Sequence, residues 1–204
     1  MGRRNPPRRQ TGKIELPSSQ LRIIAGNWRG RKLEFIAADG LRPTPDRVRE
    51  TLFNWLQTAV PGANCLDLFS GSGALGLEAL SRGAESATFI DRNNITARKL
   101  QDNLQRLKCQ NAEVINADVL EWLEARQADL ESRYDIVFMD PPFGKGLVTP
   151  CCERLEQRNL LRDKALIYIE TETQSGMVDV PANWQQLREK QAGQVTYRLY
   201  SKEA

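Results

Sequence analysis

The stretch from Cys65 to Gly83 leaves this chain few folds to choose from. Cys65-Leu66-Asp67-Leu68-Phe69 reads as a short apolar strand, Ser70 to Gly73 as a glycine-rich turn, and Ala74, Leu77 and Leu80 as one face of a helix that stops at Gly83. Gly71, Gly73 and Gly76 fit G-x-G-x-x-G, whose glycines permit a tight turn, close backbone approach to a ligand and close helix–strand packing. From Cys65 onward strands and helices alternate. Strands are expected at 65–69, 87–90, 112–116, 134–139 and 165–170, and helices at 73–82, 93–107, 118–127 and 147–158. Such alternation makes βαβ units and a largely parallel sheet. Gln185–Lys190 and Val195–Tyr200, joined by a four-residue turn containing Gly193, close it with an antiparallel hairpin.

In a parallel sheet ligands gather beyond the carboxyl ends of the strands, and the acids of this chain lie there. Asp67 lies two residues ahead of Phe69, near the end of the first strand. Asp91 closes Ala87-Thr88-Phe89-Ile90, 20 residues after Gly71, where an acid can accept from ribose hydroxyls. Asp118 follows Ala112–Asn116 and is a candidate partner for an adenine amino group. The fourth strand, Tyr134–Met139, runs into Asp140-Pro141-Pro142-Phe143. Proline has no N–H and a fixed φ, so the ladder stops there and carbonyls turn outward. An exocyclic amino group can donate to the Asp140 carboxylate and the Pro141 carbonyl while Phe143 offers a face for stacking. Asp67, Phe69, Ser70, Gly71, Gly73, Asp91, Asp118 and Asp140 thus form a nucleoside-cofactor site. Asp140, Pro141, Pro142 and Phe143 form an amino-group site beside it.

On these motifs the chain resembles class I S-adenosylmethionine-dependent methyltransferases, and more narrowly the RsmD family of bacterial 16S rRNA guanine-N2 methyltransferases. The narrower resemblance rests on Arg22–Leu33, on Leu41–Leu56 (Leu-Arg-Pro-Thr-Pro-Asp-Arg-Val-Arg-Glu-Thr-Leu-Phe-Asn-Trp-Leu) and on Ala192–Tyr200, and covers residues 21–201. It implies a Rossmann-like α/β fold with a mostly parallel seven-stranded sheet. It also implies S-adenosylmethionine as cofactor, no metal, and 16S rRNA in a small-subunit assembly intermediate as partner, with guanine 966 as target. A cytoplasmic monomer is the corresponding expectation. From the shared blocks Arg22, Arg42 and Arg47 are assigned, with Phe143, to the RNA side; a solvated ion pair of Arg47 with Glu50 is the plainer reading.

The net charge of +3 conceals an asymmetry: through Arg49 there are twelve Lys or Arg against four Asp or Glu, and the remainder is net acidic. A cationic front on an acidic body suits a polyanion. Residues 1–20 read as a flexible basic tail, 21–40 as a β-hairpin extension (strands Arg22–Ala25 and Arg31–Ile36), and 41–204 as the methyltransferase domain. Trp28 at the hairpin tip, with Arg29, Arg31 and Lys32, is a candidate RNA contact; a turn tryptophan also commonly folds back on its own domain. Thr44-Pro45-Asp46 reads as a helix start with Thr44 as the capping hydroxyl, and Val48, Leu52, Trp55 and Leu56 as its buried face.

Histidine is absent, which excludes serine-hydrolase triads and any imidazole base. Cys65, Cys109, Cys151 and Cys152 have neither zinc-site nor disulfide-framework spacing and read as free thiols. No run is long and apolar enough for a membrane span. Three rivals remain at this level. An NAD-dependent oxidoreductase shares the glycine loop but has no use for D-P-P-F. A DNA adenine-N6 methyltransferase usually carries a recognition domain for which no residues are left. An assembly factor with a vestigial pocket would not need the acids.

Overall fold

The computed structural model describes residues 18–36, 44–126 and 133–203. In chain order the elements are β1 (Ser18–Arg22), β2 (Lys32–Ile36), α1 (Asp46–Trp55), β3 (Asn64–Asp67), α2 (Ala74–Ser81), β4 (Ser86–Asp91), α3 (Asn94–Arg106) and β5 (Ala112–Asn116). There follow α4 (Val119–Ala125), β6 (Tyr134–Met139), α5 (Val148–Gln157), β7 (Leu161–Glu172), β8 (Trp184–Ala192) and β9 (Val195–Lys202). Seven strands form one sheet in the order β5-β4-β3-β6-β7-β9-β8, and β1 pairs with β2 in a separate ribbon. β5 through β7 are parallel neighbours, whereas β9 is antiparallel to both β7 and β8. This is the Rossmann-like class I methyltransferase layout. The order reverses between β3 and β6, the switch point at which such sheets bind ligands.

Alternation along the central strands supplies two apolar layers. Cys65, Ile136 and Phe138 face a core shared with α1, α2, α3 and the β1–β2 ribbon; Leu66, Val137 and Met139 face α4 and α5. Gly76 lets helix and strand approach closely, because a Cβ there would meet the Phe89 ring at 2.2 Å. All four cysteines are free.

Several boundaries differ from the sequence expectation, each for a local reason. β1 is Ser18–Arg22, not Arg22–Ala25, because Glu78 captures the N–H groups of Ile24 and Ala25 at 2.9 and 3.0 Å and pulls that segment out of the ladder. β3 stops at Asp67, since Ser70 N–H turns to the Ile90 carbonyl at 3.0 Å. β7 is twice the expected length. The β8–β9 turn is the pair Gly193-Gln194, because Gln191 and Ala192 still pair with Thr196 and Val195. Thr44 does not cap α1: the N-cap is Pro45, without a side-chain bond. The Thr44 side chain is instead buried and turned toward Asp140 and Glu170.

The ribbon is bound into the domain. Leu21, Ile23, Leu33 and Phe35 join the core, and Lys99 Nζ donates to Glu34 at 2.7 Å. At its tip Gly26 has φ +80°, and a Cβ would lie 1.8 Å from the Ser81 carbonyl, so only glycine fits. Glu78, Arg49, Asp46 and Arg82 bind the ribbon to α1 and α2: Arg49 Nη2 donates to Asp46 at 2.6 Å and to the Arg22 carbonyl at 2.9 Å, and Arg82 Nε donates to Glu78 at 2.8 Å.

Candidate active site

The carboxyl ends of β3, β4 and β6 converge on the glycine turn, and each acid there has a structural task. Asp67 Oδ2 accepts from Gly76 N at 3.1 Å, inside the first turn of α2. The N-cap of that helix is Gly73, which has no side chain to offer, so Asp67 serves as a remote cap. Asp91 Oδ2 accepts from Gly71 N at 2.8 Å and its Oδ1 from Asn93 N at 2.7 Å, tying the glycine turn to the start of α3. Ser70 Oγ donates to the Ile90 carbonyl at 3.1 Å, and Phe69 packs partly buried against the α4–α5 core. Asp118 caps α4, with Oδ1 accepting from Leu120 N at 2.9 Å, which leaves Oδ2 facing outward in an exposed residue.

Asp140 follows the last residue of β6, Pro141 is buried, and Pro142 and Phe143 are exposed, Phe143 at 46%. An aromatic ring that open has a face to offer. Behind Asp140 lies a group that sequence reasoning missed. Glu170, only 4% exposed, sits on the adjacent strand β7, one residue after Ile169, the register partner of Met139. Tyr168 Oη donates to Glu170 Oε1 at 2.7 Å, and the buried Thr44 hydroxyl lies near both carboxyl groups and opposes their upward shift. An acid directly after the apolar run Ala165–Ile169 was the available signal.

Burial pushes the Asp67 carboxyl up to about 7, with the Asp91 charge adding to the rise and the Gly76 N–H opposing it. Asp140 is raised well above the ordinary carboxylate range by burial first, then by Glu170 and Asp67. Glu170 and Asp91 are raised by burial as well. Among the described residues no Lys or Arg lies within 4.0 Å of the carboxyl of Asp67, Asp91, Asp140 or Glu170. Acids gathered at a switch point without an ion-paired Lys or Arg, Arg92 acting on Asp91 only from farther off, suit a positively charged ligand.

A crevice of about 560 Å³ opens beside these acids rather than over them, between α1 and the β8–β9 turn. Arg47, Thr51, Lys190, Gln191 and Tyr197 line it. Tyr197 is the register partner of Glu170 and stacks on Trp55 with ring centroids 5.5 Å apart. Arg47 and Lys190 are exposed and pair with no acid among the described residues, Glu50 included. Lys190 was not singled out from sequence; only the fold brings it to Arg47.

The hairpin residues lie elsewhere. Trp28 packs partly buried against the core, and its N–H donates to Ser81 Oγ at 2.9 Å. Ser81 ends α2, which runs back about 12 Å from the glycine turn toward the amino ends of the strands. Arg29, Arg31 and Lys32 are exposed near that tip. Arg22 pairs with Asp46 at 3.2 Å. Arg42 lies outside the described residues, as does the tail up to residue 17.

Comparison with known proteins now decides the lineage. A family model described as conserved hypothetical protein 95 matches residues 21–201. Ribosomal RNA small subunit methyltransferase D of Escherichia coli (strain K12) is 52% identical over 187 residues, 92% of this chain and 92% of that one. The chain belongs to the RsmD family. The Haemophilus influenzae protein of the same name is 48% identical over 192 residues, 92% of this chain and 98% of that one. The solved structure of putative methyltransferase yhhF from Escherichia coli superposes with a TM-score of 0.82 at 50% identity, covering 91% of this chain and 99% of that one. As an RsmD-family member the chain is an rRNA methyltransferase. Among the described residues no helix is long and apolar enough to cross a membrane.

Proposed function

We propose that this RsmD-family enzyme transfers a methyl group from S-adenosylmethionine to the exocyclic N2 of one guanine of 16S rRNA, guanine 966, presented by a small-subunit assembly intermediate in the cytoplasm, and that it acts as a monomer. The observation that carries this reading is the placement of Asp140-Pro141-Pro142-Phe143 at the switch point, one strand from the Asp67 glycine turn.

S-Adenosylmethionine supplies an electrophilic methyl on a positively charged sulfur. The residues present fit it: Asp67, Asp91 and Asp140 form no ion pair with a described Lys or Arg, so a positively charged ligand beside them favours their ionised form. Asp91 is placed for ribose hydroxyls, Asp118 Oδ2 for an adenine amino group, and Ser70, Gly71 and Gly73 for close backbone approach with Phe69 alongside. For the acceptor, the Asp140 carboxyl and the Pro141 carbonyl take the two amine hydrogens, and the nitrogen lone pair is left facing the methyl. An aromatic amine delocalises that pair into its ring, so most of the acceleration comes from orientation and preorganised charge. A guanine within a helix cannot present N2 in this way, so the base is single-stranded or flipped and stacks on Phe143. The crevice cations Arg47 and Lys190 then meet the nearest phosphates. Arg22, Trp28, Arg29, Arg31, Lys32 and Arg42 serve more distant RNA.

Methyl-labelled cofactor, offered with undermethylated 16S rRNA and with assembling small-subunit particles, tests the reading. Nucleoside mass spectrometry should find N2-methylguanine at one position, with particles the better substrate. Label in adenine, or at several positions, would overturn it.

A further inference from the structure

Asp140 is not alone in its pocket. It follows Met139, the register partner of Ile169, so Glu170 lies beside it across β6 and β7, and the Tyr168 hydroxyl donates to Glu170 at 2.7 Å. The remaining groups facing the pair are Asp67 from β3 and Tyr197 from β9, next to Glu170 in the ladder. None of these supplies a positive charge, and two neighbouring carboxylates, Glu170 buried and Asp140 partly so, do not both ionise readily.

We infer that Glu170 is a second carboxylate of the acceptor site, sharing one proton with Asp140 so that Asp140 can take up the proton which the methylated amine must lose. This rests on the methyl-transfer reading and adds to it a proton acceptor. In the step itself the nitrogen lone pair forms the N–C bond and the S–C pair stays on sulfur, which leaves as a neutral thioether. The positive charge then sits on nitrogen. It is discharged when one N–H proton passes to Asp140 along the hydrogen bond already in place, and solvent later removes that proton through the pair. An isolated aspartate near its usual range would be a weak acceptor at neutral pH; a pair that shares a proton is a stronger one. Glu170 acts through Asp140 and is a positioning and tuning residue, while Thr44 stabilises the ionised form of both acids.

Two substitutions separate this role from packing because they move the pH profile in opposite directions. Glu170→Gln preserves shape and can still accept from Tyr168, but it removes the like charge, so Asp140 becomes a weaker base. In single-turnover methylation of rRNA-containing particles, the acidic limb of the rate profile should move down by about one unit or more. The plateau should fall about tenfold. Thr44→Val keeps both carboxyls but removes the hydroxyl, so the limb should move up. Cofactor affinity, measured in parallel by calorimetry, should change little in either variant and certifies folding. Profiles that keep the wild-type midpoint and lose only amplitude would overturn the inference. Absence of N2-guanine methylation by the wild-type enzyme would instead remove the reading beneath it.

Discussion

Where the hairpin meets α1 and α2, Arg49 and Glu78 are both fully buried, and their charges are met by one another, by Asp46 and Arg82, and by backbone groups. At the carboxyl edge of the sheet Asp67 and Glu170 are buried almost as deeply, with only hydroxyl and N–H donors beside them. Burying charge is costly in both places. At the junction opposite charges within the chain offset that cost, although Arg49 Nε and Nη1 have no hydrogen-bond partner, and the result is a fixed connection. At the edge the compensation is incomplete, and burial drives the carboxyls upward. The difference separates a structural cluster from one arranged for a cationic ligand.

The sharpest way to break this contrast is at the junction. Glu78→Ala leaves Arg49 with Asp46 as its one acidic partner and orphans the N–H groups of Ile24 and Ala25, so it should destabilise the protein by about 3–5 kcal/mol. Urea unfolding followed by circular dichroism measures this; a loss below about 1 kcal/mol would show that the junction charges are not coupled to folding. Asp140→Ala should do the reverse. Methyl transfer should fall about 100- to 1000-fold, as for other lost preorganised contacts, with unfolding little changed and cofactor affinity reduced far less than the rate. A variant with half the wild-type rate would exclude the acceptor role. Asp91→Ala should weaken cofactor binding by about 1–3 kcal/mol, with rate largely restored at saturation. Unchanged calorimetric affinity would displace the ribose from this strand end.

The smallest expected effect separates the crevice from the hairpin tip. The double variant Arg47→Ala/Lys190→Ala should lower the slope of log RNA affinity against log salt by about 1.4, or roughly 0.7 per single-strand phosphate contact. The triple variant Arg29→Ala/Arg31→Ala/Lys32→Ala should change it less, because the tip sits near the far end of α2. A larger loss from the triple variant would put the main RNA track over the hairpin.

What was legible in the sequence follows the reach of its signals. Strand and helix alternation, the glycine turn and the D-P-P-F strand end are local patterns, and β5 and β6 lie where periodicity placed them. Thr44 was misread as a cap because Thr-Pro-Asp before an amphipathic run is a good local start; its actual partners are almost 100 and over 120 residues away. Lys190 carries no local motif and Glu170 only its place after an apolar run, and only strand register brings them to Arg47 and to Asp140. Glu78 left a trace, since it is the one acid in the otherwise small or apolar run Ala74–Leu80. Its partners, Ile24, Ala25 and Arg49, could not be named without the fold.

Asp67→Asn tests most directly whether the edge is kept short of positive charge for a ligand. The carboxyl is raised from the ordinary 3.8 to about 7, so between those values the folded state holds a proton that the unfolded state has released. Its contribution to stability is therefore full below about pH 4 and is lost as pH rises to about 7, an effect of at most about 4 kcal/mol. Asparagine can still accept from Gly76 and has no charge to bury. Denaturant unfolding of the free protein at pH 5 and pH 8, paired with cofactor calorimetry at pH 8, measures both sides. The expected result is a variant more stable than wild type at pH 8, with a smaller loss of stability between the two pH values and weaker cofactor binding. A variant less stable at pH 8, or one that binds cofactor as tightly as wild type, would contradict the account.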